Sequence, residues 1–302
     1  MKAFVIVATK GRAKETYTLL DFLAKQTYPI EKIIIVGSES NDIAGLEAHP
    51  IYDTKQLYIS TSVAGSCIQR NSGLDLISDY VKNIEQQNWF AVFFDDDFRP
   101  APDWLAQCAN TFEKYPDAIG LGGRVVADGV TTGTITELEA EAYLKTCQVE
   151  LEEKIGYSFN GLYGCNMAYR GNVAAKIRFD ENLPLYGWQE DLDFGVRAIQ
   201  QTGGKLIYTN QCLGVHMGVT GGRTSGVRFG YSQIANPIYL AQKGTMNKKY
   251  ARKTLLRNVA SNIFHTVTFD NAKDYKGRLW GNLKATFHLL IGKCHPTNIL
   301  NF

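Results

Sequence analysis

Six cysteines (Cys67, Cys108, Cys147, Cys165, Cys212, Cys294) are scattered through the 302 residues, with no CxxC pair and no zinc-ligand spacing. That excludes a disulfide scaffold and a zinc framework. Reduced, mostly buried thiols of a cytoplasmic protein are the simplest expectation. The five histidines (His49, His216, His265, His288, His295) include no HExxH, so the clustered imidazoles of a zinc hydrolase are missing. No stretch approaches the ~18 apolar residues of a membrane span. The opening apolar run, Ala3 to Thr9, is only seven residues long before Lys10, too short for the core and cleavage site of a secretory signal. Internal repeats and low-complexity linkers are absent too. A protein that is soluble, or that rests on a membrane face without crossing it, is expected.

What is present is an ordinary globular composition, 45% hydrophobic and 21% charged, able to bury a large core. The length is about twice the ~150 residues usual for one domain, within reach of a single α/β unit plus an extension. Charge is unevenly spread. From Lys248 to Phe302, ten Lys/Arg face only Asp270 and Asp274, a local +8 in a chain of net +2, which leaves −6 for residues 1–247. A basic tail beside an acidic body points to an anionic partner such as a phospholipid surface. No nucleic-acid-binding motif accompanies it.

Apolar β-rich runs at Ala3–Ala8, Lys32–Val36, Gln56–Ser60 and Phe90–Phe94 alternate with helical spacing at Lys14–Gln26 and Ser66–Val81. This predicts an αβα sandwich with a mostly parallel central sheet, its ligands beyond the carboxyl ends of the strands. Asp103–Lys114, Ile135–Lys154 (Glu137, Glu141 and Glu152 on a solvated face) and Trp188–Gln201 read as helices. Lys205–Thr209 and Cys212–His216 read as strands. Met217–Gly230, with five glycines, reads as a mobile loop. Helices at Ser232–Lys243, Lys248–Phe264 and Lys276–Ile291 follow.

Asp95-Asp96-Asp97 ends an apolar strand, and along an extended chain Asp95 and Asp97 point the same way. Adjacent carboxylates repel unless a cation or donors neutralise them. Mg²⁺ or Mn²⁺ is held by one or two such groups and completes its shell with substrate phosphates. Glu190-Asp191 stands at a helix start, where the positive N-terminus favours ionised acids, so Asp191 is a candidate base for a hydroxyl proton. Trp188 beside it offers a flat face to a sugar ring. His216 ends a strand, a candidate third metal ligand. Arg223 and Arg228, in the glycine-rich stretch, are candidates to close over a pyrophosphate.

In that order, these segments resemble the family 2 glycosyltransferases of the GT-A fold, from Ala3 to about Lys243. Val7-Ala8-Thr9-Lys10-Gly11-Arg12 is similar to the family's first-strand turn, which borders the nucleotide. Arg70-Asn71-Ser72-Gly73 looks like its Arg-Asn-x-Gly, Asp95-Asp96-Asp97 like its DxD, and Glu190-Asp191 like its ED motif, whose Asp is the catalytic base. The resemblance implies a nucleotide-sugar donor held by Ala8, Thr9, Arg12, Arg70, Asp95 and Asp96, to which the loop residues Arg223 and Arg228 are added as candidates. It further implies a metal on Asp95, Asp97 and His216, and an acceptor at Trp188 and Glu190. One stretch departs from the family. Its usual Val-Asp-Asp-Gly-Ser-x-Asp here reads Val36-Gly37-Ser38-Glu39-Ser40-Asn41-Asp42. Glu39 is then the candidate base contact, with UDP the default and TDP and GDP open.

The implied activity is inverting transfer to a hydroxyl of a glycan or lipid-linked glycan, in bacterial surface polysaccharide or related synthesis. The rivals are a metal-dependent nucleotidyltransferase, which would need a longer phosphate loop than Thr9–Arg12, and a non-catalytic nucleotide- or carbohydrate-binding module. The implied organisation is a catalytic domain over 1–245, with nucleotide binding in about 1–125 and acceptor binding in about 126–245, followed by a helical extension over 246–302. That extension either lies on an anionic membrane at its inner face or packs on protein, including a second subunit.

Overall fold

The computed structural model describes residues 1–147, 152–222, 224–270 and 272–302. The chain opens with β1 (Lys2–Thr9), α1 (Ala13–Ala24), β2 (Ile30–Gly37), β3 (Leu57–Thr61), α2 (Ser66–Val81), β4 (Trp89–Asp95), β5 (Phe98–Pro100) and α3 (Trp104–Lys114). Next come β6 (Ala118–Asp128), α4 (Gly129–Thr132), α5 (Glu137–Cys147), β7 (Ile155–Ser158), β8 (Asn166–Arg170) and α6 (Gly171–Ala174). The remainder is α7 (Glu190–Thr202), β9 (Lys205–His216), α8 (Gly226–Lys243), α9 (Lys248–Val267) and α10 (Tyr275–Leu290).

Among the described residues one sheet runs β3-β2-β1-β4-β8-β6-β9-β5, with β7 also on β9. β1 to β4 are mutually parallel, β8 runs against both β4 and β6, and β6 and β9 are parallel. β5 and β7 run against β9. Six of the nine strands therefore point one way, as a mostly parallel sheet requires. Side-chain alternation divides the core into two layers. Ala3, Val5 and Val7 of β1 face α1 and α3, whereas Phe4 and Ile6 face α2 and α7. Helix α1 buries Thr16, Leu19, Leu20 and Leu23, one stripe at helical spacing. On the opposite layer Phe93 meets Tyr169, Phe179 and Phe194 edge-to-face, each such pair contributing ~0.5–1.5 kcal/mol beyond its buried area.

Several expectations change. Lys205–Thr209 and Cys212–His216 are one strand, whose register against β6 shifts near Gly123. The helix expected over Ile135–Lys154 is described only over Glu137–Cys147; residues 148–151 lie outside the described residues, and 152–154 are not helical. Glu137 does not simply face solvent, because the buried guanidinium of Arg99 grips it at 2.8–3.1 Å. The loop expected over Met217–Gly230 ends earlier, at Ser225. Residues 226–230 belong to α8, and their glycines serve close helix packing. A Cβ at Gly226 would strike Asp274, and one at Gly230 the Arg278 carbonyl. Asn282 then donates to the Gly230 carbonyl at 2.6 Å and Asn262 to Gln233 at 2.7 Å, a buried polar seam joining α8, α9 and α10. All six cysteines are unbridged and four of them are buried. No helix among the described residues is long and apolar enough to cross a membrane.

Candidate active site

The residues expected to hold the metal, the diphosphate and the acceptor proton gather beyond the carboxyl ends of β1 and β4. Strand β4 ends at Asp95, and the chain then turns through Asp96 and Asp97 into β5. Asp95 and Asp97 do converge, though not as successive residues of an extended strand would. The turn, not the pleat, brings Asp95 and Asp97 together.

Asp96 points toward the first-strand turn. Thr9 donates to it at 2.8 Å, and Arg12 donates to its other oxygen at 2.8 Å. Arg12 also lies 3.4 Å from Asp97 and donates to the Val219 and Gly221 carbonyls, which ties the segment after β9 to the carboxylates. The Val219 N–H donates to Asp97 at 2.9 Å. His216 Nε2 stands 3.4 Å from Asp97 Oδ1, which is buried and otherwise without a partner. On its far side His216 Nδ1 lies 3.1 Å from Asp128 Oδ1, and Tyr163 donates to Asp128 Oδ2 at 3.1 Å. That pairing fixes the ring so that Nε2 faces Asp97.

One ligand atom each from Asp95, Asp97 and His216 lies within 4.8 Å of the others. Two carboxylate oxygens and an imidazole nitrogen, with a buried oxygen lacking a donor, fit a divalent cation of the Mg²⁺/Mn²⁺ class.

Arg70 stands on the other side of Asp95. Its guanidinium donates to Asp95 at 2.9 Å and pairs with Glu190, and it lies over the Phe179 ring at 5.3 Å. Asp191 is the second residue of α7 and is held by two backbone donors, Leu192 N–H at 2.8 Å and Gly164 N–H at 2.9 Å. The approach to α7 is strained. Leu185, Gly187 and Gln189 all have positive φ (59°, 64° and 74°), costly for the two residues that are not glycine. Ser66 clamps this turn, its N–H donating to the Leu185 carbonyl at 2.8 Å. Gly161 lets the 159–165 loop reach α7, where a Cβ would lie 2.5 Å from Leu192 Cα.

Among the described residues, six carboxylates (Asp95, Asp96, Asp97, Asp128, Glu190, Asp191) thus share the three cationic side chains of Arg12, Arg70 and His216, and the pKa values follow. Burial pushes Asp97 up, but His216, Arg12 and the Val219 N–H outweigh it and hold it at about 2. Burial lowers His216, yet Asp128 and Asp97 raise it to about 10. Burial, helped by Asp97, raises Asp96 to about 7 despite Arg12. It raises Glu190 to about 8 against Arg70, and raises Asp191 against its two N–H donors. Burial is the common thread, and the donors and cations each carboxylate meets decide which way it moves.

The other expected residues vary in how near they come. Ala8 lies on β1 between Val36 and Asp95. Trp188 packs edge-on against Phe229 at 5.8 Å, and Phe229 also meets Tyr186 at 5.9 Å. Glu39 is exposed, opening a short turn at Ser40–Ile43. Gly37 is built in, because a Cβ there would lie 2.8 Å from Ile43, so the family's Asp would not fit without movement. Arg228 lies in the first turn of α8 and donates to the Phe302 carbonyl at 2.6 Å; Arg223 is outside the described residues. Asn71 of the Arg-Asn motif ties Phe179 instead, accepting from its N–H at 2.7 Å.

Sequence reasoning missed Asp128, Tyr163 and Gly164, which carry no motif. It also missed Gln69, which donates to the Thr9 and Val36 carbonyls. Asp42 was visible only as a matching letter. Its carboxylate gathers the N–H groups of Gly11, Ser38 and Glu39 and so shapes both turns.

Residues 4–178 match the family model described as Glycosyl transferase family 2. The chain belongs to glycosyltransferase family 2. Over 220 residues this glycosyltransferase is 26% identical to the glucosyl-dolichyl phosphate glucuronosyltransferase of Haloferax volcanii, spanning 70% of this chain and 67% of that one. Its fold is shared with the Pyrobaculum calidifontis mannosyltransferase PcManGT, solved with GDP-Man and Mn²⁺ (TM-score 0.54, 14% identity, 99% of this chain, 84% of that one). S. aureus TarS also shares it (TM-score 0.53, 19% identity, 80% of this chain). This chain spans only 40% of that TarS chain. TarS 1-349 with UDP-GlcNAc aligns at a TM-score of 0.50 and 18% identity, over 95% of this chain and 80% of that one.

Proposed function

We propose that this family 2 glycosyltransferase moves a sugar from a nucleotide-diphosphate donor, UDP-linked by default, to a hydroxyl of a glycan acceptor with inversion at the anomeric carbon. The observation that carries the reading is Arg70 bonded to both Asp95 and Glu190. Through it the carboxylates ending β4 and the head of α7 share one mouth. Residues 1–125 take the donor, 126–245 the acceptor, and 246–302 form the extension. Since carboxylates outnumber cations among the described residues here, a diphosphate needs added positive charge. Asp95, Asp97 and His216 would hold Mn²⁺ or Mg²⁺, which when bound would supply that charge to the leaving diphosphate.

Asp191 is the base. Two backbone donors fix its orientation, and burial raises its proton affinity above that of an ordinary aspartate. It takes the proton of the acceptor hydroxyl as that oxygen bonds the anomeric carbon and the bond to the diphosphate oxygen breaks on the opposite face. A single displacement requires no enzyme nucleophile. Arg12 and Thr9 border the diphosphate, Glu39 the nucleobase, and Trp188 the acceptor sugar. The Haloferax relative's name places its acceptor on a dolichyl phosphate, and a lipid-linked glycan is the acceptor class proposed here.

A thermal-shift screen of UDP, TDP and GDP, each with Mn²⁺, Mg²⁺ or EDTA, tests the donor half. A ligand at 100 times its Kd stabilises the fold by ~2.7 kcal/mol. One nucleotide giving a metal-dependent shift is the expected result. No shift with any of them overturns the reading.

A further inference from the structure

Helices α9 and α10 are built inside out. Apart from Tyr275, what they bury fully is small or polar, Ala251 and Asn262 on α9 and Gly281, Asn282 and Ala285 on α10, with Leu255 and Val259 of α9 half-buried against α8. What they expose is aromatic and aliphatic: Phe264 (62%), Val267 (69%), Trp280 (57%), Phe287 (60%) and Leu290 (80%). Phe269, in the turn between them, is 76% exposed and holds a φ of 55°, a costly conformation for a residue that buries nothing. A helix whose only neighbour is water shows the opposite pattern, and a contiguous apolar surface of this kind marks a contact with something else.

At 100° per residue, Lys249, Arg252 and Lys253 lie on the same side of α9 as Phe264 and Val267. Lys276 likewise shares a side of α10 with Trp280 and Phe287. These four basic residues are exposed. The two acids of the tail are occupied internally. Asp270 pairs with His265 at 2.9 Å, and Asp274 caps α10 by accepting from Gly277 at 2.8 Å. The outward face is therefore apolar and positive. A second copy of the same face would set cation against cation, whereas an anionic headgroup layer over an acyl interior complements both features.

We propose that the outward faces of α9 and α10 are a docking surface for an anionic lipid bilayer. The opposite, inner side of α10 reaches the residues beside the mouth of the site. Arg278 of α10 stacks on Phe229 at 4.6 Å, and Phe229 touches Tyr186 and Trp188. Docking therefore holds the helix that borders the mouth against the membrane, with the mouth about one helix diameter (~10 Å) from its surface, within reach of a lipid-anchored glycan. This last step rests on the proposed function; the docking itself does not.

The test is co-sedimentation of the full chain with phosphatidylcholine vesicles, with and without phosphatidylglycerol. The expected result is binding to the anionic vesicles alone that weakens with salt. Lys253→Glu with Lys276→Glu should lower the partition coefficient at least tenfold, and Trp280→Ser with Phe287→Ser should abolish it. All four positions are on the surface, so the folded state survives, and a nucleotide thermal shift measured without vesicles should equal that of the parent. Equal binding to neutral vesicles, no binding to either, or a dimer in solution that Phe287→Ser dissolves would each overturn the proposal. Vesicle binding without any nucleotide shift would sink the proposed function and leave the dock standing.

Discussion

The two sides of the acidic mouth handle the same problem in opposite ways. On the β4 side, Asp97 is surrounded by His216, Arg12 and a backbone N–H and stays ionised far below neutrality. On the α7 side, Glu190 has one arginine that it shares with Asp95, and Asp191 has only backbone donors, so burial raises both. A carboxylate that must hold a cation needs permanent charge; one that must accept a proton needs affinity for it. The difference between Asp97 and the α7 pair follows from which cations the fold brings close, and it suits the separate tasks proposed for them.

The largest effect should come from separating those tasks. Asp191→Asn keeps the shape and both orienting N–H groups but removes the proton acceptor. Turnover should fall ~10²–10⁴-fold, while donor Kd, read by calorimetry, stays near the parent value. Asp97→Asn should do the reverse and lose metal-dependent donor binding first. If Asp191→Asn costs donor binding as much as turnover, the two sides are one unit and the assignment fails.

Next in size is the support behind His216. Asp128→Asn leaves a group that can still hydrogen-bond but removes the charge opposite Nδ1. Mn²⁺ affinity, followed by electron paramagnetic resonance of the ion, should drop ~10–100-fold. The same titration on Asp191→Asn should not move.

The pH profile comes third. With Asp191 as the proposed base, turnover requires it deprotonated, so activity should fall as pH drops through its raised pKa, tenfold per pH unit below it. Because burial shifts the group upward, that acid limb should lie above the ~3.9 of an ordinary aspartate. Asp97, at about 2, remains ionised throughout, but His216, raised to about 10, must give up its proton to ligate a cation, so the limb is to be read at saturating Mn²⁺. A limb at or below 3.9 would mean that Asp191 is not the base.

The parallel half of the sheet was legible because β1, β2 and β4 are unbroken apolar runs between helices. The other half was not. β6 carries glycines at 120, 122 and 123, which weaken any strand signal, and they are there because Tyr169, Tyr208 and Trp104 lie where their Cβ atoms would go. In α8, too, the glycines that suggested a loop are contact points for α10. At the site, the residues written as local strings were readable: Asp95 to Asp97, Glu190-Asp191, Arg70. Asp128 and Tyr163 were invisible because each meets His216 only through the sheet, 88 and 53 residues away in sequence.

Tyr163 offers the finest probe of the metal side. Its hydroxyl donates to Asp128 Oδ2, while His216 uses Oδ1, so it holds the carboxylate that in turn holds the ring. Its own ring meets His216 edge-on at 5.8 Å, a contact that phenylalanine preserves. Tyr163→Phe therefore deletes one hydrogen bond, ~0.5–1.5 kcal/mol, and should weaken Mn²⁺ binding about two- to twelvefold with no change in the acid limb. A loss as large as that of Asp128→Asn would show that the hydroxyl orients the imidazole directly, which its 3.3 Å approach to Nδ1 also permits. A shift of the limb instead would couple the metal side to Asp191 and break the division of labour.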